Sequence, residues 1–239
     1  MDAPPVIFFD IDDTLLDYKT SQDLAALEFA KKYSTHIDNP EKFPKVWDEI
    51  TARHMARYFS GELSFQEQRR CRIRESLGLD LSAQESDRVF DEYYQIYEES
   101  WRLFPDVESA LLKLSGYSMA VITNGDKEHQ SYKLKKLGVI GYFDDVITPA
   151  CAGAPKPDLA IFQLAATRAG KARDECWYIG DNYRADYQGA KEAGYKSVWL
   201  NRHGSQEPCE NQCKDLNEFV LKVLGDVTNS PATRYVSKA

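Results

Sequence analysis

The chain has 239 residues, 43% apolar and 28% charged, enough to bury one large core or a core with a smaller insert. Its net charge of −8 argues against sequence-independent nucleic-acid binding, which needs Lys and Arg to displace counterions. No apolar run approaches the ~20 residues of a membrane-spanning helix, no signal peptide is visible, and five scattered cysteines suit a reduced, cytoplasmic protein better than a disulfide scaffold.

The first element is a short buried strand over residues 6–10, where the apolar run VIFF leads straight into Asp10, Asp12 and Asp13. From about 20 to 101 the pattern is helical. SFQE at 64–67 and SAQE at 82–85 have the capping-box form, Ser followed three residues later by Glu. Phe90, Tyr93, Tyr94, Tyr97 and Trp101 recur at helical spacing and are expected to pack as core. After Pro105 strands and helices alternate: helix 106–115, strand 117–123, helix 128–137, strand 144–148, helix 157–169, strand 176–180, helix 184–193, strand 196–200 and helix 214–224. Cys209 and Cys213, with His203 nearby, lack the further ligands of a zinc site and read as free thiols. Residues 226–239 carry no periodicity and read as a tail.

Alternating strands and helices predict a parallel sheet covered by helices on both faces. The helical block interrupts it after the first strand. The expected organisation is therefore an α/β, Rossmann-like core of 1–15 plus 104–225 with an inserted all-helical domain at 16–103.

Active sites of open parallel sheets lie beyond the carboxyl ends of the strands. Four residue sets fall there: Asp10, Asp12 and Thr14; Thr123, Asn124 and Gly125; Lys156 and Pro157; Asp181 and Asp186. Any one set could be ordinary cap and turn chemistry. Taken together, three acids at one sheet edge call for a hard cation such as Mg²⁺, and a hydroxyl with an ammonium can hold the remaining oxygens of a phosphoryl group.

These stretches, DIDDT (10–14), ITN (122–124), KP (156–157) and GDNYRAD (180–186), resemble the four motifs of the haloacid dehalogenase superfamily, and the helical insert resembles its α-helical cap. The resemblance implies a central first strand flanked by the second and by CWYIG. It implies Asp10 as the nucleophile that becomes an aspartyl phosphate, and Asp12 as the acid and base whose backbone carbonyl also reaches Mg²⁺. Thr14 is similar to the residue that orients the acid–base loop. Thr123, Asn124 and Lys156 would bind the phosphate, Asp181 the metal directly, and Asp186 the metal directly or through water. Asp13 reads as a turn or capping residue.

An acid at position 12 argues against the dehalogenase branch, and no cap lysine stands in a phosphonatase context. Phosphoglucomutase-like enzymes share all four motifs. The expected activity is hydrolysis of a small phosphate monoester by a monomer or homodimer. Resemblance to cytosolic pyrimidine nucleotidases rests on IFFDIDDTLLDY, YFSGELSF and AGYKSVWLNRHG. It suggests a nucleoside 5′-monophosphate, with Trp47 or Tyr58 stacking the base and Arg53, His54, Arg57, Arg69 and Arg70 within reach; the competing expectation is that both rings are core of the insert and most of these charges form a solvated face. Sugar-phosphate and flavin-precursor esters are the alternatives, and a non-catalytic binding protein is the reading from another class.

Overall fold

A computed structural model of the chain describes residues 4–229, which divide into two compact units. Asp17–Arg102 form a helical unit. Its helices are Tyr18–Lys32 (α1), Phe43–Phe59 (α2), Phe65–Leu77 (α3) and Ala83–Glu99 (α4). Both expected capping boxes form. The Ser64 hydroxyl accepts from the Glu67 N–H while the Glu67 carboxylate accepts from the Ser64 N–H, and Ser82 and Glu85 repeat the exchange at α4. Each box satisfies two donors that a helix start would leave unpaired. Gly78 ends α3 at φ 63°, the left-handed conformation that costs glycine least.

Phe90, Tyr93, Tyr97 and Trp101 of the aromatic stripe are buried, and Tyr94 is half-buried. They pack with Phe29 and Trp47, both fully buried. The outer surface carries ion pairs. Arg70 holds Asp87 through two bonds of 2.8 and 2.7 Å, Arg53 and His54 share Glu75, and Arg57 holds Glu62.

Residues up to Leu16 and from Leu103 onward form the α/β unit. Val6–Phe9 is the first strand (β1). Then come Val107–Lys113 (α5), Ser118–Ile122 (β2), Lys127–Lys136 (α6), Val146–Ile147 (β3), Pro149–Ala152 (α7) and Leu159–Ala169 (α8). Cys176–Gly180 (β4), Gly189–Glu192 (α9), Lys196–Leu200 (β5), Gln212–Cys213 (β6) and Leu216–Asn229 (α10) complete it. The strands form one parallel sheet of order β3-β2-β1-β4-β5-β6, so β1 is central between β2 and β4. Successive β1 residues face opposite layers. Phe8 joins Tyr178, Ile122 and Phe162 of α8 on one face. On the other, Phe9 and Trp177 meet Phe219 of α10 edge to face at 5.9 and 6.1 Å.

Four departures from the expected elements have local causes. The expected strand 144–148 shortens to two residues at the sheet edge. Over 184–193 the backbone first makes a π-turn, Tyr183–Gln188, and only then α9. There the Asn182 side chain accepts from the Arg184 and Ala185 N–H groups, and Asp186 accepts from the Asn182 N–H. β6, too short to show a periodicity, adds an edge strand. Finally, α10 continues through residues 226–229, which were expected to be tail; residues 230–239 lie outside the described residues. All five cysteines are free thiols.

Candidate active site

The loop after β1 closes on itself. The N–H groups of Thr14, Leu15 and Leu16 converge on the Ile11 carbonyl at 3.3, 2.8 and 2.9 Å, and the Asp13 N–H donates to the Leu16 carbonyl. Asp13 turns the chain at φ 59°, a left-handed conformation that Asp tolerates better than most residues. Ile11 is fully buried, so it anchors the loop between the two acids that flank it.

Asp10 follows β1 and is almost completely buried. The Lys156 ammonium donates to Asp10 at 2.6 Å, to Asp186 at 2.7 Å and to the Tyr178 hydroxyl at 2.9 Å, and that hydroxyl lies 2.7 Å from the same Asp186 oxygen. Asp186 reaches this position because residue 180 is glycine: a Cβ there would stand 2.4 Å from the Asp186 carboxyl carbon. Burial pushes Asp10 up to about 7, opposed by Lys156 and reinforced by Asp186. Burial, with the charges of Asp10 and Asp186, pushes Asp181 up to about 9. Burial pulls the Lys156 ammonium down, but Asp10 and Asp186 together hold it above its ordinary value. Two anchors fix Asp181: its N–H donates to the buried Thr14 hydroxyl, and its carbonyl accepts from the Trp199 indole at 2.7 Å.

Carboxylate oxygens of Asp10, Asp181 and Asp186 lie within 4.8 Å of one another. One ammonium does not balance three acids in a buried cluster. An oxygen-only set of this kind fits a hard divalent cation better than a soft one.

The second group of residues follows β2. The Thr123 hydroxyl accepts from the Gly125 N–H and the Gln130 amide. Both polar ends of Asn124 meet the backbone of Lys156: its oxygen accepts from the N–H at 2.7 Å, and its amide donates to the carbonyl at 3.1 Å. Asn124 thus fixes the lysine's backbone.

Sequence reasoning missed the partners of Asp12. Lys133, buried on α6, donates to one Asp12 oxygen at 2.6 Å, and Gln130 donates to the other at 3.0 Å. Burial raises the Asp12 carboxyl, and the charge and hydrogen bond of Lys133, then the Gln130 bond, more than reverse it, leaving Asp12 below its ordinary value. The available signal was the i,i+3 spacing of Gln130 and Lys133 just after ITN. Arg202 was missed as well. It holds Asp106 through bonds of 3.0 and 3.1 Å and donates to the Thr14 carbonyl, buttressing the first loop.

A family model described as haloacid dehalogenase-like hydrolase matches residues 4–194, most of the chain. The chain belongs to the haloacid dehalogenase-like hydrolases. Among its relatives, the glyceraldehyde 3-phosphate phosphatase of Methanothermobacter thermautotrophicus is 28% identical, over 93% of this chain and 96% of that protein. The ribulose-1,5-bisphosphate 5-phosphatase of Halopiger xanaduensis is 27% identical, over 93% and 97%. Human N-acylneuraminate-9-phosphatase is 24% identical over 83% of both chains. Of solved structures, the HAD-hydrolase YfnB from Bacillus subtilis, bound to magnesium, superimposes with a TM-score of 0.77 at 21% identity, over 94% of this chain and all of that one. A HAD phosphatase from Thermococcus onnurineus gives 0.66 at 26% identity, over 92% and 98%. Both structures share this fold over most of the chain.

Proposed function

We propose that this hydrolase is a phosphatase of small phosphate monoesters, acting in two steps through Asp10. The observation that carries the reading is the Lys156 ammonium set on one oxygen of a buried Asp10, with Asp12 two residues on. In the first step an Asp10 carboxylate oxygen attacks phosphorus and the ester P–O bond breaks, the leaving oxygen taking a proton from Asp12, which must enter the step protonated although Lys133 favours its carboxylate in the free protein. In the second, water gives a proton back to Asp12 and attacks phosphorus, releasing inorganic phosphate and restoring the Asp10 carboxylate. Thr123 and Lys156 hold phosphoryl oxygens, and Asn124 serves them by fixing the Lys156 backbone.

Asp10, the Asp12 carbonyl and Asp181 would hold Mg²⁺ directly. Asp186 would act through water, since Lys156, Tyr178 and the Asn182 N–H already occupy its oxygens. The ion, when bound, neutralises charge on the phosphoryl group. Turnover should stop in EDTA and return with added Mg²⁺; full activity in EDTA would remove the metal from the scheme.

The three relatives above are named for phosphate esters of sugar-like, hydroxylated carbon chains, which favours that substrate class. Stacking of a nucleobase on Trp47 finds no support, since its ring is fully buried in the aromatic core of the helical unit. The deciding experiment is a panel of phosphate monoesters with Mg²⁺, run on the wild type and on Asp10→Asn. The variant should keep its circular dichroism spectrum and turn over nothing. Normal activity in Asp10→Asn would discard the mechanism, and a preference for nucleotides would discard the substrate class.

A further inference from the structure

Two arginines of the helical unit hold no carboxylate directly; Asp91 and Asp87 act on Arg69 only from further away. Gln68, Arg69 and Arg72 lie on one face of α3, at the i, i+1 and i+4 positions. Arg72 is 7% exposed, its guanidinium 4.5 Å from the ring centre of Trp47 and 5.3 Å from that of Phe90. Arg69, half-buried, sits 4.4 Å from the ring centre of Phe65 and 4.9 Å from that same Phe90 ring. Two guanidinium groups therefore share one phenyl ring. Among the described residues no carboxylate pairs with either, whereas Arg53, Arg57, Arg70 and Arg102 of the same unit each hold one.

Burial alone does not explain this arrangement. Ring faces attract a cation and the Tyr93 hydroxyl accepts a bond from Arg72, but the ring faces supply no acceptor in the guanidinium plane. The Arg72 Nε is buried with no partner, and so is the Gln68 Oε1 one turn away. Burial holds both guanidinium groups below their ordinary value, and for Arg69 the neighbouring Arg72 charge adds to the effect. An anion bridging the two would remove the repulsion and fill the planar fork that carboxylates and phosphates fit. The unmatched Gln68 acceptor suits a hydroxyl on the same ligand.

We propose that Arg72 and Arg69 form an anion-binding site in the helical unit, taking a carboxylate or phosphate group of a hydroxylated organic molecule. This goes beyond the phosphatase reading and does not depend on it. The group could belong to the phosphate ester that is hydrolysed, as a second anionic group, or to a separate small anion.

The test uses the full chain as wild type, Arg72→Met, Arg72→Lys and Arg69→Met, each checked by circular dichroism. L-malate, a hydroxylated dicarboxylate, is titrated by isothermal calorimetry. In parallel, kcat/KM is measured for 3-phosphoglycerate and for glycerol 3-phosphate, which differ in the carboxylate. Arg72→Met should weaken malate binding by on the order of tenfold or more, the worth of a charged hydrogen bond, and Arg72→Lys should restore part of it. If the substrate is the source, Arg72→Met also lowers kcat/KM for 3-phosphoglycerate and spares glycerol 3-phosphate. If a separate anion is the source, malate binding falls and the ratio of the two esters stays constant. Malate affinity equal in wild type and variants, or none in either, with an unchanged ester ratio, would overturn the site and leave the arginines as packing. Should Arg72→Met not fold, the half-buried Arg69→Met carries the same comparison. Absence of turnover on both esters would count against the phosphatase reading, and the malate titration would still decide this one.

Discussion

Gly125 shows how little tolerance the loop after β2 has. A Cβ on Gly125 would stand 2.4 Å from the Gln130 amide nitrogen, and Gln130 is the side chain that donates to both Asp12 and Thr123. Gly125→Ala should therefore displace Gln130 and cut kcat by on the order of tenfold or more, since small errors in positioning cost that much. The melting temperature should hardly move; a variant with unchanged kcat would show that Gln130 does not position the loop. Lys133→Met removes the other partner of Asp12. Esters with alkyl leaving groups should lose more turnover than p-nitrophenyl phosphate, whose leaving group departs without a proton, and equal losses would separate Lys133 from the proton transfers. Asp10, Asp12, Lys156 and Asp181 were legible in the sequence because each follows a strand or opens a loop at the same sheet edge. Lys133 was not, since it meets Asp12 from 121 residues away on a helix whose surface is otherwise lysine-rich.

Among elements, the capped helices were the most legible, because a capping box needs only two residues at a fixed spacing. Ser82→Ala should lower stability by about 1 kcal/mol, read from thermal or urea unfolding. The π-turn before α9 left no periodic signal: side chains satisfy its backbone donors, and no repeat records that. Ion pairs in the helical unit also set a pH dependence. Arg70 holds Asp87 below the ordinary carboxylate range, and Lys32 does the same for Glu92. A carboxyl with a depressed folded-state value stabilises fully above its unfolded value and loses that contribution as pH falls through the folded one. The melting temperature should thus drop on acidification below about pH 4. Asp87→Asn should flatten part of that fall and leave the neutral-to-alkaline side alone; an unchanged acid slope would show that the pair contributes nothing.

For the molecule as a whole, the parallel sheet was readable from the strand–helix rhythm, and the central place of β1 from the resemblance. The β6 edge was not, since two residues held by one neighbour leave no periodicity, and the β3 edge reads too long in the sequence, 144–148 against Val146–Ile147. Polar chemistry is concentrated in the α/β unit around Asp10, while the helical unit keeps its carboxylates on the outside and, within, two arginines that hold no carboxylate directly. That asymmetry is why substitutions in the α/β loops should depress all substrates together.

The chain passes between the two units on adjacent strands: Leu16 bridges Leu103, the Phe104 N–H donates to the Leu15 carbonyl, and the Asp17 N–H donates to the Arg102 carbonyl. This bears on how the protein assembles. β1 must find β2 and β4, both distant in sequence, and most of the first gap is the helical unit itself. If that unit folds first, from contacts that are local, its joined ends leave only a short loop to close, and the entropy of bringing β1 to β2 falls. Trp47 and Trp101 lie in the helical unit and Trp177 and Trp199 in the sheet, so single-tryptophan variants give each unit its own clock. In refolding, Trp47 should become buried before Trp177, and the reverse order would mean that the sheet nucleates without its insert.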